Sequence, residues 1–175
     1  MDWENMKEEI SPEELGSLLF SCADRWASRD AQSPGFLESV RASTVDKDNL
    51  TQELLIATMY AAMNVVMRKI EAEDKVFRVL DSMNNAFINR WKPEDRQKVQ
   101  LLIRIRYNEY EDAQSEKRGP NQLWPLSHHI LKNFLGKEMI GETPLDAVTM
   151  TSIAAYYSGR LIAFDEVVRN LRITS

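Results

Sequence analysis

From Leu54 to Met67 the chain reads Leu-Leu-Ile-Ala-Thr-Met-Tyr-Ala-Ala-Met-Asn-Val-Val-Met, with only Thr58 and Asn64 polar. At helical spacing this run is apolar on nearly every side, and a helix without a solvent face must be enclosed by lipid or by protein. At ~1.5 Å per residue it spans about 21 Å, short of the ~20 apolar residues that cross a bilayer. Glu53 precedes it, and Arg68 and Lys69 follow. The pattern predicts the buried central helix of a soluble helical domain, with Asp48 or Asn49 as its cap.

The flanking segments are amphipathic. Ser11-Pro12-Glu13-Glu14 is a helix start: a capping serine, proline in the first turn, and glutamate three residues after the serine. Leu15, Leu18, Leu19, Cys22 and Trp26 then trace one apolar stripe, so the first helix should end near Arg29. Ser33-Pro34 opens a short helix carrying Phe36, Leu37 and Val40. Past the central run, Val76, Leu80, Met83, Phe87 and Trp91 form a one-sided stripe, with Phe77 and Ile88 beside it. The change from all-round to one-sided apolarity predicts a break near Ala72–Lys75, or one kinked helix. Lys92-Pro93 stops that element. A helix from about Glu94 to Lys117 ends at Arg118-Gly119-Pro120-Asn121, and another runs from Trp124 to Gly136. Thr143-Pro144 starts the last, which reaches about Arg172.

The expected fold is therefore all-α: a single domain of about six to seven helices packed around the helix at 54–67, in orthogonal or bundle-like fashion. A chain of 175 residues is long enough to bury such a core without disulfides, and its one cysteine, Cys22, reads as a core thiol in a reducing cytoplasm. The net charge of −5 is concentrated at the start: residues 1–30 hold eight acids against three bases. Residues 1–10 are expected to form an acidic arm, poorly ordered or docked on a partner, ahead of a domain over 11–175. Without a basic block, nucleic-acid binding is not expected. Nor is a membrane association or a secretory signal.

The helix at 94–117 holds the most unusual chemistry. Val99, Leu102, Ile103, Tyr110 and Ala113 draw its apolar arc, and Arg106 falls in the middle of it. A charge there is costly unless paired, and Glu109 lies one turn away. The two read as a half-buried ion pair, in which case Arg106→Met should leave the fold intact. Alternatively they form an anion site lined by Arg106, Glu109, Tyr110 and His128 or His129. Glu109, Asp112 and Glu116 share a face near those histidines, but neither histidine follows a glutamate at the Glu-x-x-His spacing of di-iron bundles. No metal site and no cofactor is expected.

Two further patterns stand out. Met59, Met63 and Met67 recur every fourth residue, read here as core filler rather than a peptide groove. Ala155, Gly159 and Ala163, with Ser152 near the same line, form a small-residue seam. It would serve close packing on the central helix, or a contact between two copies of the chain. Tyr156 and Tyr157 beside it could close a pocket, and Asn64 should be hydrogen-bonded inside. No phosphate loop, nucleophile elbow or dinucleotide fingerprint occurs. The reading that follows is a non-enzymatic cytoplasmic interaction or regulatory module, self-associating or bound to another protein. Its acidic start, its seam, and the aromatics Trp3, Trp91 and Trp124 favour this. The alternative is a ligand- or metal-binding bundle, possibly catalytic, built on the Arg106 cluster.

Overall fold

The computed structural model describes residues 8–116, 123–136 and 144–174. Along the chain run β1 (Glu8–Ile10), α1 (Pro12–Asp30), α2 (Pro34–Ser39), α3 (Lys47–Lys69), α4 (Glu73–Ile88), α5 (Arg96–Ser115), α6 (Trp124–Leu135), α7 (Pro144–Arg169) and β2 (Leu171–Ile173). The architecture is all-α, with α3 in the middle, packed against α1, α4, α5, α6 and α7. The terminator at Arg118–Asn121, the Thr143 cap and Trp3 lie outside the described residues.

Local chemistry sets most boundaries. The Ser11 hydroxyl accepts the Glu14 N–H at 3.2 Å, and the Glu14 carboxylate accepts the Ser11 N–H at 2.9 Å, closing a capping box. Ser33 caps α2 through the Phe36 N–H. The cap of α3 is Asp46, which accepts the Asn49 N–H at 2.9 Å, so the helix starts slightly before Asp48. It ends at Lys69, where Ile70 turns extended, and α4 begins at Glu73. Two helices therefore form, parted just ahead of the predicted break. Gly136, at φ 66°, closes α6 in the left-handed conformation glycine favours.

The central run is enclosed as its pattern requires. Leu54, Ile56, Ala57, Met59, Ala61, Ala62, Val65 and Val66 are fully buried. By length and composition α3 could cross a bilayer, yet 72% of its most apolar window is covered by the rest of the fold. Its far end surfaces. The methionine line runs from buried Met59 through half-buried Met63 to Met67, which is 59% exposed.

The inward face of α1 differs from the predicted stripe. Leu15, Gly16, Leu19, Ala23 and Ala27 are buried, whereas Leu18 is exposed and Cys22 and Trp26 are half-buried. The reason is close approach to α4. A Cβ on Gly16 would stand 2.3 Å from the Val79 carbonyl oxygen and 2.7 Å from the Ser82 Cβ. Small residues let the two backbones meet, which turns the larger side chains to the flanks.

The small-residue seam behaves in the opposite way. Helix α7 turns Met150, Ile153, Tyr157 and Phe164 into the core, while Ala155 and Gly159 are exposed. The expected packing of Ala155–Ala163 on the central helix is thus replaced by packing of the neighbouring face, where larger apolar side chains bury more area.

The ends of the described chain meet. Strands β1 and β2 pair in parallel, with Glu8 opposite Leu171 and Ile10 opposite Ile173. Ile10, Leu171 and Ile173 pack on the core, and the Thr174 N–H extends the pairing to the Ile10 carbonyl at 2.9 Å. Residues 8–10 of the expected acidic arm are therefore a strand. Residues 1–7 lie outside the described region.

Candidate functional site

Arg106 is held by more partners than its own helix supplies. Its Nε donates to Glu53 Oε2 at 2.9 Å and its Nη2 to Glu53 Oε1 at 2.8 Å, a bidentate pair bridging α5 and α3. Its Nη1 donates to Glu109 at 3.2 Å, the contact expected from the spacing. Glu109 also accepts from the Asn133 amide of α6 at 3.0 Å, and that amide reaches the Tyr110 hydroxyl at 3.5 Å. The Glu53 side chain is 4% exposed and that of Arg106 18%. Burial opposes the guanidinium's charge, but the bonds to Glu53 and the fields of both carboxylates outweigh it and push its pKa up. One cation faces two carboxylates.

Glu53 and Asn133 escaped the sequence reading. Glu53 had a signal: it lies three residues after Leu50 and four before Ala57, on the face those buried residues define. Asn133 had none beyond its place on an apolar helix. His128 lies edge-to-face against His129, ring centroids 5.7 Å apart, and burial holds the His129 imidazole below its usual pKa. No group of three His, Cys, Asp or Glu among the described residues is arranged to hold a metal ion.

A second polar layer, partly buried, joins α3 to α7. Asn64 donates through Nδ2 to the Tyr60 carbonyl and to the Tyr157 hydroxyl, both at 3.0 Å. Gln114 adds a weaker donor to Tyr157 at 3.4 Å and accepts from the Tyr60 hydroxyl at 3.3 Å. The Thr58 hydroxyl donates to the Leu54 carbonyl, so the Tyr156 hydroxyl, 2.8 Å away, donates to Thr58. Tyr156 and Tyr157 thus close the helix interface. Beside them Arg160 stands 5.0 Å from the Trp26 ring and 4.7 Å from that of Tyr156, and pairs with buried Asp30.

The outer face of α7 is different in kind. Leu145 is 54% exposed, Val148 60% and Ile162 69%, and Ala155 and Gly159 between them are exposed as well. Where a Cβ would stand on Gly159 there is nothing within 4 Å. With half-buried Ser152, these positions follow one another at steps of three, four, three, four and three residues. That is the spacing of a helix seam. Ala163, grouped with the seam by sequence, is half-buried at its edge.

No protein-family model, curated protein or solved structure matches this chain. The residues and their geometry carry the functional reading.

Proposed function

We propose that this chain is a non-enzymatic helical interaction module that self-associates through the outer face of α7. The observation behind the reading is the exposed line Leu145, Val148, Ser152, Ala155, Gly159 and Ile162. Its spacing is symmetric about the point between Ile153 and Ala154. Two copies laid antiparallel across a two-fold axis would set Leu145 against the second copy's Ile162, Val148 against its Gly159, and Ser152 against its Ala155. Each surface would then meet its own complement, as a two-fold dimer requires. Val148 opposite a glycine fills the space that glycine leaves. The seam is about 25 Å long at ~1.5 Å per residue. A single helix pair buries less than the roughly 800 Å² per partner of a standard interface, so the association should be reversible and concentration-dependent.

The Arg106 cluster supports the alternative, an anion-binding bundle, less well. Three donors of its guanidinium are committed to Glu53 and Glu109, and the trio carries a net negative charge. An entering anion would have to displace a carboxylate.

Sedimentation velocity across about a hundredfold concentration range tests the proposal. A monomer–dimer equilibrium is expected, abolished by Ala155→Glu with helicity unchanged, because that side chain already faces solvent. In a Cys22→Ser background, Leu145→Cys should cross-link to Ile162→Cys when the two proteins are mixed, and neither to itself. A chain monomeric at every concentration would end the proposal.

A further inference from the structure

A cleft of about 420 Å³ opens between α3, α4 and α5, on helices other than α7. One wall is a single face of α5, where Gln100, Ile103, Arg104, Tyr107, Asn108 and Glu111 follow at the i, i+3, i+4, i+7 spacing of a helix side. Met63 from α3 and Asn84 and Ile88 from α4 form the other wall. Met63 and Ile88 are half-buried, so apolar surface is left open opposite α5.

The charges of this lining are Arg104 and Glu111, both exposed. They are two helical turns apart, hence on one side of α5 and about 10.5 Å from each other along its axis at ~1.5 Å per residue. Neither has an opposite charge three or four residues away: Arg104 has Gln100, Leu101, Tyr107 and Asn108 there, and Glu111 has Tyr107, Asn108, Gln114 and Ser115. The ion pairs on and around α5 use Asp95, Lys98, Arg106 and Glu109, and Arg104 and Glu111 take part in none among the described residues. Between the two charges, one turn from each, stands exposed Asn108. Its carboxamide bonds to no other described residue and can both donate and accept.

A free cation, a free carboxamide and a free anion in line, with an apolar wall opposite, complement a short peptide with uncapped ends. We infer that this cleft binds a peptide of about three residues, since an extended chain covers ~3.3–3.6 Å per residue and so matches the spacing of the two charges. Its carboxylate would lie on Arg104, its ammonium on Glu111, a backbone amide on Asn108, and an apolar middle side chain against Met63 and Ile88. The volume falls within the usual range of ~300–1,000 Å³ for small-molecule sites. A plain anion would meet Glu111, a plain cation would meet Arg104, and a single amino acid is too short to reach both. The adaptable Met63 thioether accepts side chains of different shape, so the site reads the two ends of the peptide rather than one sequence. It shares no residue with the outer face of α7, and its test is independent of self-association.

The probe is the tripeptide Ala-Leu-Ala, followed through the ¹³C-labelled methyl of Met63 by NMR. Saturable shifts of the Met63 signal are expected, with the methyl of Met150, buried on α7, unmoved. Acetylating the peptide's amine or amidating its carboxylate should each weaken binding about two- to fivefold, the range of an exposed charge pair, and free leucine should bind more weakly than either. Arg104→Gln should erase the difference between the acid and the amide while keeping that between the amine and its acetyl form, and Glu111→Gln should do the reverse. Both side chains are exposed and unpaired, so the fold should tolerate either change. Absence of a saturable shift at tens of millimolar tripeptide would overturn the inference. Equal binding of the capped and uncapped peptides would overturn it too, and that comparison uses the unaltered protein.

Discussion

Glu53 and Arg106 are 53 residues apart in sequence and meet through two parallel hydrogen bonds of 2.9 and 2.8 Å, at the junction of α3 and α5. Glu53 sits one residue before the apolar run that forms the centre of the fold, and its side chain is almost wholly buried. Its charge is tolerated there because a planar guanidinium matches both carboxylate oxygens at once. Glu109 and Asn133 extend the contact to α6, so three helices are joined around one cation.

This pairing reverses the expectation for Arg106→Met. With Glu109 as the only partner, the substitution would be tolerated. With Glu53 buried, it strands a carboxylate in the core and should cost about 3–5 kcal/mol. The double variant Glu53→Leu/Arg106→Met removes both charges and should recover most of the loss. Urea unfolding of the single and double variants measures the difference. A single variant as stable as the parent would show that Glu53 finds water or another donor.

Gly16 and Gly159 should respond oppositely to alanine. At Gly16 the added methyl meets the Val79 backbone at 2.3 Å and must push α1 from α4, at a cost of about 1–3 kcal/mol. At Gly159 there is open space, so alanine should add up to ~1 kcal/mol through helix propensity in the dilute, monomeric chain. Thermal melts at low protein concentration compare the two. Equal effects would mean that the α1–α4 contact is looser than described.

Asn64 and Tyr157 should act as a unit. Asn64→Leu removes the 3.0 Å donor to the Tyr157 hydroxyl and leaves only the longer contact from Gln114, a loss of roughly 1–3 kcal/mol. Tyr157→Phe on that background should cost less than it does alone, because the hydroxyl has already lost its main partner. A double-mutant cycle by denaturant titration reads the coupling, and strict additivity would contradict it.

His129 gives a pH dependence with a defined sign. Burial, reinforced by the neighbouring His128 and opposed by Glu109 and Glu116, holds its folded pKa below the unfolded value. Between those two values the unfolded chain binds more protons, so stability rises with pH. The contribution is complete above the unfolded value, about 6.5, and is lost as the pH falls through the window below it. His129→Asn should flatten this part of the profile of melting temperature against pH. An unchanged slope in this window would contradict the assignment to His129, because carboxylates such as Glu14, which its bonds to Ser11 hold below the usual range, lose their contribution only at lower pH.

The amino-acid sequence by itself determined the parts of this protein governed by neighbours along the chain. The Ser11–Glu14 capping box, the prolines that open α1 and α2, the Gly136 stop and the enclosure of α3 all follow from contacts within a few residues, or from an apolar periodicity that leaves no choice of environment. The i, i+3 contact of Arg106 with Glu109 was legible for the same reason. Only the tertiary structure decided which side of each helix faces which neighbour. Glu53 came to Arg106, Asn133 to Glu109, and β1 to β2, through packing between segments distant in sequence. The glycines make the distinction plain. Both Gly16 and Gly159 sit in helices, where each sacrifices backbone stability, and the sequence pattern singled out Gly159 for close packing, on the central helix or between two copies of the chain. The fold instead spends Gly16 on the close approach of α1 to α4 and leaves Gly159 bare, because the adjoining face of α7 carries the larger side chains that the core can bury.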